Sequence, residues 1–248
     1  MHLPAHNYGR LFLETYRNNL PVGSKVVVMG AQHLGGSPKD ICPQGFECIG
    51  VDTAEGPGVD IVLDDACALP FEAESVDAVI CSSRFGHADM FWVVFNEFLR
   101  ILKPSGLLCV CAPNDGDLQR QPEDCWRFYP DAGHALVTWA QRSGYSPALL
   151  ESFIGPREAS GLAGNRHDFV GVFAKTAAMA PQVHNLMFSG QAELTNVRLP
   201  GATELLNVQA RSADAALLDQ LREENAALLG SRHHLQALLA GAQQTHQQ

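Results

Sequence analysis

The sequence predicts an α/β fold, a doubly wound, mostly parallel seven-stranded sheet followed by a C-terminal helical coiled-coil extension. Three observations carry that expectation. Five short segments rich in β-branched residues alternate with turn signals between Lys25 and Pro113, an amphipathic stretch separates the last two of them, and leucines recur at helical spacing beyond Asp214. Strands alternating with helices and turns are the pattern of a parallel sheet covered on both faces.

Residues 1–21 read as a helical or irregular N-terminal segment. Lys25-Val-Val-Val-Met-Gly30 is an apolar run ending in glycine, as a buried parallel strand that must turn sharply should be. Phe46-Glu-Cys-Ile-Gly-Val-Asp52 ends in a carboxylate 22 residues after Gly30, near the spacing at which an acidic side chain meets a ribose. Ligands of open α/β sheets lie beyond the carboxyl ends of the strands, so Gly30 and Asp52 point to a nucleoside cofactor. A third run, Gly58-Val-Asp-Ile-Val-Leu63, leads to Asp64-Asp65-Ala66. A carboxylate beside a small residue can accept from the exocyclic amine of adenine and leave room for the ring, which assigns Asp65 and Ala66 to the base. Leu69-Pro-Phe71 precedes a fourth strand, Ser75-Val-Asp-Ala-Val-Ile-Cys81.

Residues 88–103 form an expected amphipathic helix, with Phe91, Val94, Phe95, Phe98, Leu99 and Leu102 at intervals of three and four. Lys103-Pro-Ser-Gly106 stops it, and Leu107-Leu-Cys-Val-Cys-Ala-Pro113 returns as a buried strand. Asn114-Asp-Gly-Asp117 opens a loop over the crevice, 130–143 suits a further helix, and His167-Asp-Phe-Val-Gly-Val-Phe-Ala-Lys175 a closing strand.

This order of elements resembles the Rossmann-like class I S-adenosylmethionine-dependent methyltransferases over residues 22–175. The resemblance rests on Asp65-Ala66, Leu69-Pro70-Phe71, Val76-Asp77-Ala78-Val79 and, most specifically, Phe91-Trp-Val-Val-Phe-Asn-Glu-Phe-Leu-Arg-Ile-Leu-Lys-Pro-Ser-Gly106. It implies S-adenosylmethionine as cofactor, held by Gly30, Ala31, Gln32, Asp52, Thr53, Asp65, Ala66 and Ser82. A closer subgroup, associated with bacterial glycan and cell-surface biosynthesis, shares Gly50-Val-Asp52, Gly56-Pro-Gly-Val-Asp-Ile-Val62 and Cys125-Trp-Arg-Phe-Tyr-Pro-Asp131. That implies O-methylation of a sugar hydroxyl in a surface glycan or its precursor. His87, after the fourth strand, falls where such enzymes approach the methyl group and is the candidate base or orienting group; the competing reading has it cap the next helix or pack beneath the cofactor.

Asp124, Trp126 and Arg127 combine an indole with charge on one loop, which suits stacking on and anchoring of a sugar acceptor. Against this, Trp126 and Phe128 could seat the loop on the core while Arg127 pairs with Asp124 or Asp131. Two departures separate the chain from the family pattern: Val28 stands where an acid usually precedes the first glycine, and Gly30-Ala-Gln-His-Leu-Gly-Gly-Ser37 puts its next glycines at 35 and 36, with His33 in place of an acid and Gly35 of an amide. The alternatives are therefore a catalytically silent module acting in assembly and a small-metabolite methyltransferase.

The 248 residues, 46% apolar, suffice for one such domain and an appendage, and no apolar run reaches membrane-spanning length. Met1-His-Leu-Pro-Ala-His6 lacks the basic and apolar regions of a secretion signal, so a cytoplasmic protein is expected. Seven cysteines show neither zinc nor disulfide spacing, Cys81, Cys109 and Cys111 read as core thiols, and a formal charge of −10 disfavours a nucleic-acid partner. Residues 176–210, with Pro181, Pro200 and Gly201, read as a linker or an irregular, strand-bearing segment. Over 211–241, Leu218, Leu221, Asn225, Leu228, Arg232, Leu235 and Leu239 alternate spacings of three and four. An Asn at one a position among leucines favours two parallel strands, so a homodimer is expected, with docking of the helix on its own domain or on another protein as alternatives. Residues 242–248 are expected to be disordered.

Overall fold

Strand β1 (Lys25–Met29) sends Val27 and Met29 into one apolar core and Val26 and Val28 into another, because its two faces are both covered. The computed structural model to which it belongs describes residues 3–31, 37–118, 120, 123–156, 166–189, 191, 193–210 and 213–245. Beside β1 on one side lie β2 (Glu47–Asp52) and the short β3 (Ile61–Val62), and on the other β4 (Val76–Ser82) and β5 (Leu102–Pro113), all parallel. β7 (Asp168–Ala174) runs antiparallel between β5 and β6 (Ala148–Ile154). The order is β3-β2-β1-β4-β5-β7-β6-β8.

The expected count of seven strands is corrected to eight among the described residues. Thr195–Arg198 forms β8 antiparallel to β6 and covers an edge that would otherwise offer unpaired backbone groups. Its sequence, Thr-Asn-Val-Arg, holds one apolar side chain, Val197, too few for an alternating pattern to place the strand within the 176–210 segment. Residues 176–208 also contribute Met179, Met187 and Leu194 to the second core, and the chain divides into two compact units at Val208.

The first core lies under α4 (Phe91–Ile101) and α5 (Ala132–Arg142); α4 buries Val94, Phe95, Phe98, Leu99 and Ile101, one face of its helix. It stops two residues before the expected end because Leu102 is drawn into the sheet opposite Val76. Glu97 on α4 reaches out of that face, accepting from the Leu69 N–H at 2.7 Å and from Arg100, whose guanidinium also donates to the Leu69 carbonyl at 3.1 Å. The Leu-Pro-Phe segment is thus fixed by a helix 28 residues later.

The second core lies under α1 (Leu3–Thr15), which buries Phe12 and Leu13, with Tyr16 just beyond it. There the Glu151 carboxylate, fully buried on β6, accepts from the Tyr16 hydroxyl at 2.6 Å and from the backbone N–H groups of Met187 and Phe188 at 2.7 and 3.0 Å. Burial pushes its carboxyl above the usual range, only partly offset by these donors.

The expectation, from spacing, of no disulfide is also corrected: Cys42 and Cys48 form one. A turn explains it. Gly45 takes φ +90°, the Phe46 N–H returns to the Pro43 carbonyl at 3.1 Å, and the two Cα atoms come within 6.1 Å. The other five cysteines are free. Among the described residues no helix is long and apolar enough to cross a membrane.

The second unit, Gln209–Gln248, contains α6 (Ala213–Thr245). Leu218, Leu221, Leu228, Leu235 and Leu239 on it are 50 to 70% exposed.

Candidate active site

Parallel pairing aligns Met29 with Val51 on β2 and with Cys81 on β4, so the next residue of each strand, Gly30, Asp52 and Ser82, forms a row at the carboxyl edge of the sheet. Gly30 has φ +83°, and a β-carbon there would collide with the Ser82 carbonyl oxygen. Only glycine lets the chain leave β1 at this angle. Its N–H donates to the Val51 carbonyl at 3.1 Å, tying the turn to β2. Asp52 is 2% exposed, and its carboxylate accepts from the Thr53 N–H at 2.7 Å. Ser82 is fully buried, and its hydroxyl oxygen has no partner among the described residues, as for a group awaiting a ligand.

Ala31 is buried against Gly50, whose β-carbon position lies 3.0 Å from the Ala31 side chain and 2.8 Å from Pro38. The Gly56–Asp60 loop closes over the same glycine: the Asp60 carboxylate accepts from the Gly50 N–H and the Asp60 N–H donates to its carbonyl, both at 2.8 Å. This double tie shortens the third strand to Ile61–Val62, less than the expected 58–63. Asp65 is exposed beyond β3, where its carboxylate accepts from the Cys67 N–H at 2.7 Å, and Ala66 is half-buried beside it. Gln32 and the rest of the first loop through Gly36 lie outside the described residues.

The residues expected on the acceptor side come together around one elbow. Ser83 takes the left-handed conformation, φ 59°, and starts the short turn of helix α3 (Arg84–His87). His87 is half-buried, with Nδ1 against the Glu123 carbonyl; a carbonyl only accepts, so Nδ1 carries the proton. The Gly86 carbonyl accepts from the N–H groups of Cys125 and Trp126 at 2.8 and 3.1 Å, and the Trp126 indole N–H donates to the Ala88 carbonyl at 3.0 Å. The loop carrying Asp124, Trp126 and Arg127 is thereby bound to the segment carrying His87. Arg127 grips Asp124 through two hydrogen bonds of 2.5 and 2.7 Å, the pairing weighed against ligand anchoring, and this holds its guanidinium above the usual pKa range. Beside the pair lies a pocket of about 320 Å³ lined chiefly by Phe91, Trp92, Trp126, Arg127, Phe128 and Trp139.

Two features of this end of the sheet had no motif. Arg166, 7% exposed, donates to the Ser83 hydroxyl at 3.3 Å and lies 3.2 Å from the Asp168 carboxylate. Asp115 accepts from the His167 N–H at 2.6 Å and meets its ring Nδ1 at 2.7 Å. The first pair spans β4 and β7, the second the loop after β5 and the start of β7; only strand pairing brings them together.

A family model described as a methyltransferase domain matches residues 39–110. The 2-methyl-6-phytyl-1,4-hydroquinone methyltransferase of Synechocystis sp. is 28% identical over 158 residues, covering 58% of this chain and 48% of that protein. An uncharacterized methyltransferase of Schizosaccharomyces pombe is 34% identical over 96 residues, 35% of this chain and 38% of that protein. The chain thus spans less than half the length of either relative. A solved S-adenosylmethionine-dependent methyltransferase from Archaeoglobus fulgidus superimposes with a TM-score of 0.50 at 15% identity, covering 68% of this chain and 94% of that one. The matched domain, the strand order and the superposition agree: the first unit has the fold of the class I S-adenosylmethionine-dependent methyltransferases.

Proposed function

We propose that the protein is an S-adenosylmethionine-dependent methyltransferase acting on a sugar hydroxyl of a surface glycan or its precursor. The observation that carries the cofactor is the Gly30, Asp52 and Ser82 row, with a turn only glycine can make, a buried carboxylate and a buried unpartnered hydroxyl. Asp52 would accept from the ribose, Thr53, Asp65 and Ala66 would border the adenine, and Gly30, Ala31, Gln32 and Ser82 would line the path to the methionine end. Bound there, the cofactor supplies a methyl group already activated on a sulfonium. What remains for the chain is alignment and proton removal.

Val28 supports the view that no acidic contact comes from β1: it is fully buried in the second core, where a carboxylate would face a desolvation cost. On the acceptor side His87 would orient the hydroxyl, and the aromatic pocket beside Arg127 and Asp124 supports stacking on a sugar's C–H face. Its apolar lining also favours a second reading, a phenolic small molecule, the class named for the cyanobacterial relative. A cytoplasmic site of action, with its supply of cofactor and sugar precursors, belongs to the proposal; the Cys42–Cys48 bond weighs against it, since such bonds persist chiefly in oxidising compartments.

Calorimetric titration with S-adenosylhomocysteine tests the reading. Micromolar binding is expected, and Asp52→Ala weakens it by about 1–3 kcal/mol, the cost of lost hydrogen bonds to a buried charged acceptor; an unchanged affinity removes Asp52 from the site. No binding at millimolar ligand makes the protein a silent module instead. Methyl transfer to nucleotide sugars but not to hydroquinones then separates the two acceptor classes.

We further propose that α6 pairs with a second copy of itself through its exposed leucine seam, Asn225 fixing the register. Replacing Leu221 and Leu228 with glutamine is expected to convert a dimer to a monomer in sedimentation equilibrium, and a dimer that persists would locate the interface elsewhere.

A further inference from the structure

We propose that His167, oriented by Asp115, is the general base that takes the proton of the acceptor hydroxyl; the inference rests on the methyltransferase reading above. Pairing of β7 with β5 sets Asp168 opposite Pro113, and one step further the Asn114 N–H donates to the His167 carbonyl at 2.9 Å. His167 therefore stands just past the carboxyl end of β5, the end at which Gly30 and Ser82 leave β1 and β4. The same patch is knitted across strands: the Ser83 N–H donates to the Cys111 carbonyl at 2.9 Å, Arg166 reaches the Ser83 hydroxyl, and a β-carbon on Gly116 would lie 2.6 Å from the Arg166 side chain.

The chemistry of the pair is that of an oriented imidazole. The Asp115 carboxylate can only accept, so Nδ1 carries the proton and Nε2 presents its lone pair. Among the described residues Nε2 has no protein partner, and the side chains of His167 and Asp115 are 12 and 18% exposed, sheltered but reachable. The carboxylate that sets the tautomer also stabilises the imidazolium that forms on proton uptake. At His87, by contrast, Nδ1 faces the neutral Glu123 carbonyl. The neighbouring charges, Arg166 and Asp168, lie against one another at 3.2 Å and largely answer each other. As the acceptor oxygen bonds to the methyl carbon and the carbon–sulfur bond breaks, the hydroxyl proton passes to Nε2, leaving a neutral thioether, a methyl ether and an Asp115-paired imidazolium.

Histidine-selective ¹⁵N spectra of the full chain test this without an acceptor. The protein is titrated through the histidine range alone, with S-adenosylhomocysteine, and with sinefungin, which carries an ammonium where the cofactor carries its methyl-bearing sulfur. His167→Gln identifies the resonance, and Asp115→Asn is expected to weaken its Nδ1-protonated signature. The expected result is a pyridine-type Nε2 in the free protein and a proton affinity at least about threefold lower with sinefungin than with S-adenosylhomocysteine, because the ammonium faces the ring. Identical titrations in two demonstrably saturated complexes make the pair a structural staple and overturn the inference while leaving the cofactor reading intact. Failure of both ligands to bind overturns the cofactor reading and the inference with it.

Discussion

Gly30→Ala abolishes binding of S-adenosylhomocysteine and lowers the unfolding free energy by roughly 3 kcal/mol or more, the sum of a left-handed backbone cost near 1–2 kcal/mol and a collision with backbone that cannot rotate away. The size of the effect is set by the neighbour. Gly23 has nearly the same dihedral, φ +81° against +83°, but no atom lies within 4 Å of its β-carbon position. Gly23→Ala should therefore cost only the dihedral term, about 1–2 kcal/mol, and leave binding intact. The obstructing atom at Gly30 is the carbonyl oxygen of Ser82, held by a strand paired on both sides, so relief requires parting β1 from β4. Urea unfolding and calorimetry on both variants check this. Equal losses at the two glycines would mean that the contact with Ser82 contributes nothing.

The second large effect belongs to Glu151. Alanine there leaves the Tyr16 hydroxyl and the N–H groups of Met187 and Phe188 buried without an acceptor, an expected loss of about 3–5 kcal/mol. Glutamine keeps one acceptor oxygen and should cost about 1–3 kcal/mol at low pH. The pH dependence has a definite sign. The folded carboxyl binds its proton more tightly than the unfolded one, so the proton stabilises the fold, and that contribution is present below the ordinary carboxylate range and is lost as pH rises through the raised folded value. Relative to Glu151→Gln, the native protein should therefore lose stability across that window, as thermal melts at a series of pH values would reveal. Parallel curves would mean that the donors hold the carboxyl at its ordinary value after all.

Much of the sheet is written plainly in the chain, for one reason. Strands such as Val26–Met29 and Leu107–Ala112 are buried on both faces and so read as unbroken apolar runs. The place of Asp52 at the end of β2 was legible for a related reason: the spacing from Gly30 reflects one strand, one crossover and the next strand, a local quantity. What escaped the sequence is non-local or short. The third strand is clipped because Asp60 binds back to Gly50, and β8 carries one buried side chain where a pattern needs several. Asp115 and His167 are 52 positions apart and meet only because β7 is laid against β5, so no spacing rule could have joined them. For Arg127 the sequence leaves an acceptor, Asp124 and Asp131 open as partners; in the structure its guanidinium pairs with Asp124, three residues away in the same loop.

The position of β7 also sets an order of events during synthesis. β5 and β6 are separated in space by the strand that follows both, so each keeps an open edge until Asp168–Ala174 has left the ribosome and can slide between them. The Asp115 and His167 meeting forms in the same step, and the Glu151 staple waits for residues 187 and 188 still further on. A chain interrupted before that point holds the row of Gly30, Asp52 and Ser82 yet neither of those ties. The row at the carboxyl edge and the elbow of His87 and Arg127 are therefore made first, and the Asp115–His167 pair is completed only when β7 is laid in.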